Sequence, residues 1–197
     1  WVETVFNEQH IKARVDVTWY DSLTTLHQSL QNDQVDAFTV RVEDCIRLGI
    51  MPDFIYLLAE EDDFEIRYNL LTHQNSPIRD TEALAGRNLS LPGGNQMGMA
   101  ELWVKSLLAG KPQDKNHLET LNLIRVKRPS EAILKVFFQQ ADAAVVTQSA
   151  FEVACELNPQ LKKDIRVLAV SPPFINSFFV FRQNWQGPVK EELESAP

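Results

Sequence analysis

Two α/β lobes of similar plan are what the sequence predicts, on three observations. Short apolar strands alternate with amphipathic helices, and about fifteen residues separate the strands read at 13–19 and 35–40, which suits a parallel crossover and not a hairpin. One such unit occurs twice. DSLTTLHQSLQNDQVDAFTV and PSEAILKVFFQQADAAVVTQ each run from a cap through an amphipathic helix and a polar turn with Gln to an Asp-Ala pair, a short apolar strand and a Thr. Between the copies lies 84–108, LAGRNLSLPGGNQMGMAELWVKSLL, where an apolar strand enters a Gly-rich turn and then a helix.

Composition narrows the classes. A chain of 197 residues buries a core as one large domain or two small ones, and 44% hydrophobic with 23% charged residues is globular and not disordered. The net charge of −8 argues against nucleic acid as a partner, because phosphate neutralisation needs a clustered basic face and the densest basic run is Arg125, Lys127, Arg128. No apolar run reaches membrane-span length; the longest, 174–181, carries Asn176 and Ser177. Cys45 and Cys155 stand far apart without a CxxC, and so read as free thiols. His10, His27, His73 and His117 have no i,i+4 partner or HExxH context, so no metal or other cofactor is expected. The chain begins at Trp1 with Trp1, Val2, Val5 and Phe6 already on one helical face, and is expected to be a piece of something longer.

Residues 1–9 read as the end of a helix, and ARVDVTW, 13–19, alternates as a strand. Asp21 or Ser22 caps a helix over 23–30, whose Leu23, Leu26 and Leu30 bury one side. A polar turn at 31–34 precedes the strand 35–40. Helix 42–48 ends at Gly49, 51–58 is a strand or buried loop, and the acidic run 60–63 is a solvated face. FEIRYNLLT, 64–72, is extended, and Ser76-Pro77 with Asp80 and Thr81 leads to a short helix ending near Gly86. Then come the strand 88–91 and a helix from Gln96 with Met99, Leu102, Trp103 and Leu107 on its buried face. After a polar stretch at 109–118 follow a strand at 121–126, a helix at 131–140 opened by Pro129-Ser130 with Ile133, Leu134 and Phe137 on one face, and a strand at 141–147. Helix 151–157 closes at Asn158-Pro159, strand 165–170 leads into Ser171-Pro172-Pro173, 174–181 is extended, and a last helix starts at Pro188.

The Gly-rich turn is the first candidate binding site. Asn95 can cap the helix behind it, and the free N–H groups and positive dipole end there suit an anionic or carbonyl oxygen. GGNQMG is neither GxGxxG nor GxxxxGK[ST], which excludes a dinucleotide fold or P-loop. Catalysis has little to stand on. Asp21, Asp36 and Asp142 are the available carboxylates, the latter two are turn caps in the repeated Asp-Ala pair, and no Ser–His or Cys–His spacing occurs, so no catalytic residue is expected.

LLTHQNSPIRDTEALAGRNLSLPGGNQMGM, PSEAILKVFFQQADAAVV and IRVLAVSPPFINSFFVFRQNW, in that order, resemble the solute-binding proteins of ABC importers for phosphonates and related oxyanions, and more broadly the type II periplasmic binding fold. The most specific pieces are the SPI–LAG–strand–turn–helix block and SPPxxNxxFVxR, 171–182. The resemblance implies an α/β, two-lobed fold with two hinge crossovers, mapped onto 65–72 and 166–182, with the family's first strand lacking from these residues. One lobe would hold 1–66 with 178–197, the other 72–170, and a small-molecule ligand would bind at the carboxyl ends of strands. The ligand loops it implies are Tyr20, Asp21, Ser22 and Thr39 in the first lobe and Asn95, Gln96, Met97 and Ser130 in the second, with Tyr68 and Thr147 near the cleft floor. Ser22, Asn95 and Ser130 alternatively only cap their own helices, and Met97 is either an apolar wall of the site or core. The family's Ser/Thr-rich turn is replaced here by Gly94-Asn95-Gln96-Met97-Gly98, so phosphonate recognition is not carried over. The location implied is periplasmic or extracytoplasmic, the partner a membrane ABC permease or a fused membrane sensor kinase. Two alternatives stay open: the effector domain of a LysR-type regulator, which shares this fold and length, and an enzyme on the same fold.

Overall fold

The first helix begins where its sequence supplies a cap: Ser22 Oγ accepts the Thr25 N–H at 3.2 Å in the computed structural model of the chain. The structure describes residues 15–50, 56–57, 65–93, 97–108, 121–175, 177–182 and 185. Their elements, in chain order, are α1 (Leu23–Gln31), β1 (Ala37–Arg41), α2 (Val42–Leu48), β2 (Tyr56–Leu57), β3 (Glu65–Ile66), β4 (Tyr68–His73), a 3-10 turn (Glu82–Leu84), β5 (Asn88–Pro92), α3 (Gly98–Leu108), β6 (Asn122–Val126), α4 (Pro129–Phe137), β7 (Ala143–Thr147), α5 (Gln148–Leu157), α6 (Pro159–Asp164), β8 (Ile165–Val170), β9 (Phe174–Ile175) and β10 (Ser177–Phe181). The chain divides into two units, Trp1–Asp63 with Ser177–Pro197, and Phe64–Asn176.

In the first unit, β10 lies between β1 and β2 and is antiparallel to both. Phe38 and Val40 of β1 and Phe178, Val180 and Phe181 of β10 are buried, as is Leu26 of α1. Arg182, just past β10, fixes the turn before β1: its Nε donates to Val35 O at 3.1 Å, its backbone N–H to Asp36 O at 2.8 Å, and its guanidinium pairs with Asp33 and Asp36. The strand expected at 13–19 is not formed over its described part. Residues 15–20 are irregular, and Val17 and Trp19 are 73% and 89% exposed. Alternation makes a strand only where a neighbour completes the ladder and one face is covered, and among the described residues β1 is an edge strand. The helices expected at 1–9 and from Pro188, and the stretches 60–63 and 109–118, lie outside the described residues.

The second unit is layered. Its sheet has the order β6-β5-β7-β4-β8, with β5, β6 and β7 parallel and β4 antiparallel to β7 and β8. Leu89, Leu91, Tyr68, Leu70 and Val145 point to one face and pack with Ile78, Leu84, Ala100, Trp103 and Val104. Leu71, Ala144 and Val146 point to the other, against Ala132, Ile133, Val136, Phe151 and Leu161. Strands buried on both faces lose polar alternation, which is why 143–146 reads as an unbroken apolar run. Leu102 and Leu134, expected on buried faces, are instead 49% and 40% exposed. Each helix is rolled by about one position so that Ala100 and Val104, or Ala132 and Val136, meet the sheet, their small side chains allowing close approach. α5 starts at Gln148 and not at 151 because Thr147 caps it, and α6 was not expected, since Pro159 reads as a stop where it serves as the first residue of a new helix capped by Asn158.

The repeated unit holds at atomic detail. After α1 and after α4 the chain turns through a left-handed residue that is not glycine, Asp33 (φ 57) and Gln139 (φ 56). Gln34 N donates to Ser29 O at 2.9 Å and Gln140 N to Lys135 O at 2.7 Å, the same six-residue closure in both units. Asp142, read from sequence as a turn cap, instead bridges to the start of the neighbouring strand β5: its Oδ2 accepts the Asn88 N–H at 2.9 Å and its own N–H donates to Asn88 O at 3.0 Å.

Between α3 and β6 an ion-pair network joins layer to strand. Glu101 accepts from Lys105 at 3.0 Å and pairs with Arg125. Burial pushes the Glu101 carboxyl up, but hydrogen bonds and charge from Lys105 and Arg125 together outweigh that and hold its pKa below the usual carboxylate value. A depressed folded pKa means that the stabilisation is full above the unfolded value, about 4.3, and is lost as pH falls through the folded one. Glu101→Gln should therefore cost about 0.5–1 kcal/mol near neutrality and nothing in strong acid. Urea unfolding of both proteins across pH checks this; a difference that persists unchanged at the acid end contradicts it.

Candidate functional site

Three parallel strands of the second unit end side by side, β5 at Pro92, β6 at Val126 and β7 at Thr147, and a helix follows each one. The starts of α3, α4 and α5 therefore gather at one edge of the sheet, where unpaired N–H groups and the positive dipole ends face outward. The three starts differ in what they leave free. Arg128, the residue ahead of α4, makes no capping bond with its side chain, Pro129 occupies the first turn, and Ser130 there is exposed. α5 is closed: Thr147 Oγ1 accepts the Ala150 N–H at 3.2 Å, and Gln148 N donates to Arg67 O at 2.8 Å. The turn before α3 is anchored at its first residue, where Gly93 N donates to Val126 O at 2.6 Å; Asn95 and Gln96 lie outside the described residues.

Beside Ser130, Arg128 and Glu131 offset one another's charge. Glu131 Oε1 accepts from Arg128 Nε at 3.0 Å and its Oε2 from Lys127 N at 3.1 Å. The Arg128 hydrogen bond first, then the backbone N–H, lowers the Glu131 pKa, so the carboxylate stays ionised but its charge is turned back on the preceding loop.

The remaining expected residues divide. Tyr68 is wholly buried, its ring stacked on Trp103 at 6.5 Å and tilted against Phe174 at 6.0 Å, and Met97 is 5% exposed within the same core. Both are packing residues in the second unit. In the first unit Tyr20 is half-buried and Asp21 exposed just ahead of α1, and Ser22 is the cap of that helix. Thr39 is exposed on β1, on the face opposite Phe38 and Val40. Thus Ser130 and Thr147 share one edge, Tyr20, Asp21 and Ser22 share one loop, and Thr39 stands apart in the strand.

Three further residues carry more structure than their sequence signal shows. Ser171 Oγ accepts the buried Tyr68 N–H at 2.9 Å and donates to Pro172 O at 2.7 Å, while its own N–H donates to Tyr68 O at 2.8 Å. Arg41 ends β1 and binds two buried carboxylates, Glu43 at 3.3 Å and Asp44. Ser171 and Arg182 make the SPPxxNxxFVxR block a framing motif: its first residue ties the two chain segments that enter and leave the second unit's sheet, and its last one fixes a turn in the first unit. Cys45 and Cys155 are free, and burial raises both thiol pKa values. Among the described residues no cluster of His, Cys, Asp and Glu could hold a metal ion, and no helix is long and apolar enough to cross a membrane.

An α/β architecture in two units is that of the two-lobed type II periplasmic binding fold. Residues 7–196 match the family described as ABC transporter, phosphonate, periplasmic substrate-binding protein, and the chain belongs to that family. No curated protein sequence matches it. Among solved structures, a Xanthomonas citri protein bound to ATP is similar with a TM-score of 0.69 at 15% identity, covering 96% of this chain and 72% of that one. The binding-protein component of a phosphonate ABC transporter from Pseudomonas aeruginosa has a TM-score of 0.55 at 14% identity, over 98% of this chain and 65% of that one. An ancestral arginine-binding protein bound to arginine has 0.51 at 16%, over 96% and 76%. At such identities the likeness is one of fold. Family membership makes the chain a small-solute-binding module of a periplasmic family, and does not favour the LysR-type or enzymatic readings.

Proposed function

We propose that this chain binds a small solute through an acid oxygen, without turnover, and that Ser130 with the uncapped start of α4 is the donor set for that oxygen. The observation that carries the reading is the contrast within one sheet edge: α5 is closed by its own threonine while α4 keeps an exposed serine and no cap. Uncharged hydroxyl and backbone donors hold an oxyanion without a matched cation, in keeping with a chain of net charge −8. Asn95 and Gln96 would complete the second unit's share, and Tyr20, Asp21, Ser22 and Thr39 the first unit's. The two lobes would close over the solute by bending at the crossovers, 65–72 and 166–182, with a membrane ABC permease or a fused sensor kinase as the partner.

A thermal-shift screen against phosphonates, inorganic oxyanions, amino acids and small organic acids tests this. A ligand at a hundred times its Kd adds about 2.7 kcal/mol, a readily seen shift. For any hit, Ser130→Ala should weaken binding by roughly tenfold, the worth of one hydrogen bond to a charged acceptor. Unchanged affinity in both Ser130→Ala and Asn95→Ala would mean the site is elsewhere, and steady conversion of the hit would replace binding with catalysis.

A further inference from the structure

β4 and β8 pair so that Thr72 stands opposite Arg166. Directly opposed residues of an antiparallel pair carry their side chains on the same face, with Cβ atoms roughly 5 Å apart. Thr72 is wholly buried, and its Oγ1 has no hydrogen-bond partner. Arg166 is half-buried; its Nη2 donates to Ile78 O at 3.0 Å, while its Nε is buried and has no acceptor. Each orphaned group costs free energy if it is left dry, and two on facing side chains share one remedy. Arg166 also lacks a carboxylate among the described residues, where the part-buried Arg41 and Arg182 have two each.

The geometry points to a bound guest here: one small hydrogen-bond acceptor, a water oxygen or a halide ion, held between Thr72 Oγ1 and Arg166 Nε. Both groups donate to it, the hydroxyl by rotating and the guanidinium by its fixed N–H. Thr72 pairs with Ala143 at the amino end of β7, so the niche lies at the opposite end of the sheet from Ser130 and Thr147. Its effect is to tie the segment leading to β5 onto the β4–β8 edge. Ile78, 1% exposed, already hangs from Arg166, and Gln74 N donates to Asp164 O at 2.6 Å.

Thr72→Val keeps the shape and removes the hydroxyl, so the sign of its effect decides the matter. With a guest present, the variant loses a donor and should melt lower by about 2–4 °C, the shift a single buried hydrogen bond brings to a chain of this size, while Thr72→Ser stays close to the starting protein. If Thr72 is merely orphaned, removing its hydroxyl relieves a cost, and a Thr72→Val protein melting at or above the original overturns the proposal. Arg166→Met adds a second check: the double variant should fall little below the worse single one, because either change already expels the guest, and fully additive losses would equally overturn it. Exchanging chloride for gluconate at constant ionic strength names the guest. A shift in the original protein that Thr72→Val lacks assigns a halide, and equal melting in both salts assigns water; either upholds the niche.

Discussion

Tyr68→Ala is expected to cost the second unit about 3–5 kcal/mol, the range for removing a large ring from a closed core. The ring is wholly buried between Trp103 and Phe174, on a strand whose next inward residue, Leu70, is equally buried. No smaller side chain fills that space without leaving a cavity. Tyr68→Phe, which keeps the ring, should lose about 1 kcal/mol or less. Urea unfolding followed by tryptophan fluorescence measures both, since Trp103 sits against the mutated ring. Near-unchanged stability of Tyr68→Ala together with lost solute binding would return Tyr68 to the ligand site, where the family resemblance had put it.

Ser171→Ala is expected to cost about 1–3 kcal/mol, because it strands the buried Tyr68 N–H without an acceptor. Deleting one atom here acts on two chain segments at once. Ser171 joins the end of β8 to the start of β4 through two hydrogen bonds, just where β3 and β9 pair beyond them at Glu65↔Ile175 and Ile66↔Phe174. Hydrogen exchange should show the Tyr68 amide opening faster in the variant, with Leu70 and Leu71 unchanged in order of protection. Equal midpoints and equal Tyr68 exchange in the two proteins would show the hydroxyl to be dispensable, and the framing role of the SPP block would be withdrawn.

The α/β class and the repeat were legible because both rest on local chemistry. A cap and a 3.6-residue period are written in neighbouring residues, and Ser22 does what such a residue does wherever it occurs. What failed was any inference needing a partner distant in sequence. ARVDVTW alternates as strands do, yet over 15–19 it has no neighbour to complete its ladder among the described residues. Leu102 and Leu134 were read one position out, because the period tells that a helix has an apolar side and the sheet's surface tells which residues touch it.

The candidate site was half legible for a related reason. Capping and ligand binding use the same donors at the same place, so the residues of Ser22, Ser130 and Thr147 type announce helix starts without saying which start is left open. Packing decided that: Thr147 turned inward onto Ala150, and Ser130 stayed exposed above an uncapped turn. Tyr68 and Met97 likewise had a role only once the sheet's faces were assigned, since an aromatic or a thioether serves a core as readily as a cleft. Local hydrogen bonding and periodicity, carried within a few residues, determine this protein's elements and their two-fold plan. Which polar groups meet solvent, and which are tied across a hundred residues as Ser171 is to Tyr68, depends on contacts that exist only after the chain has folded.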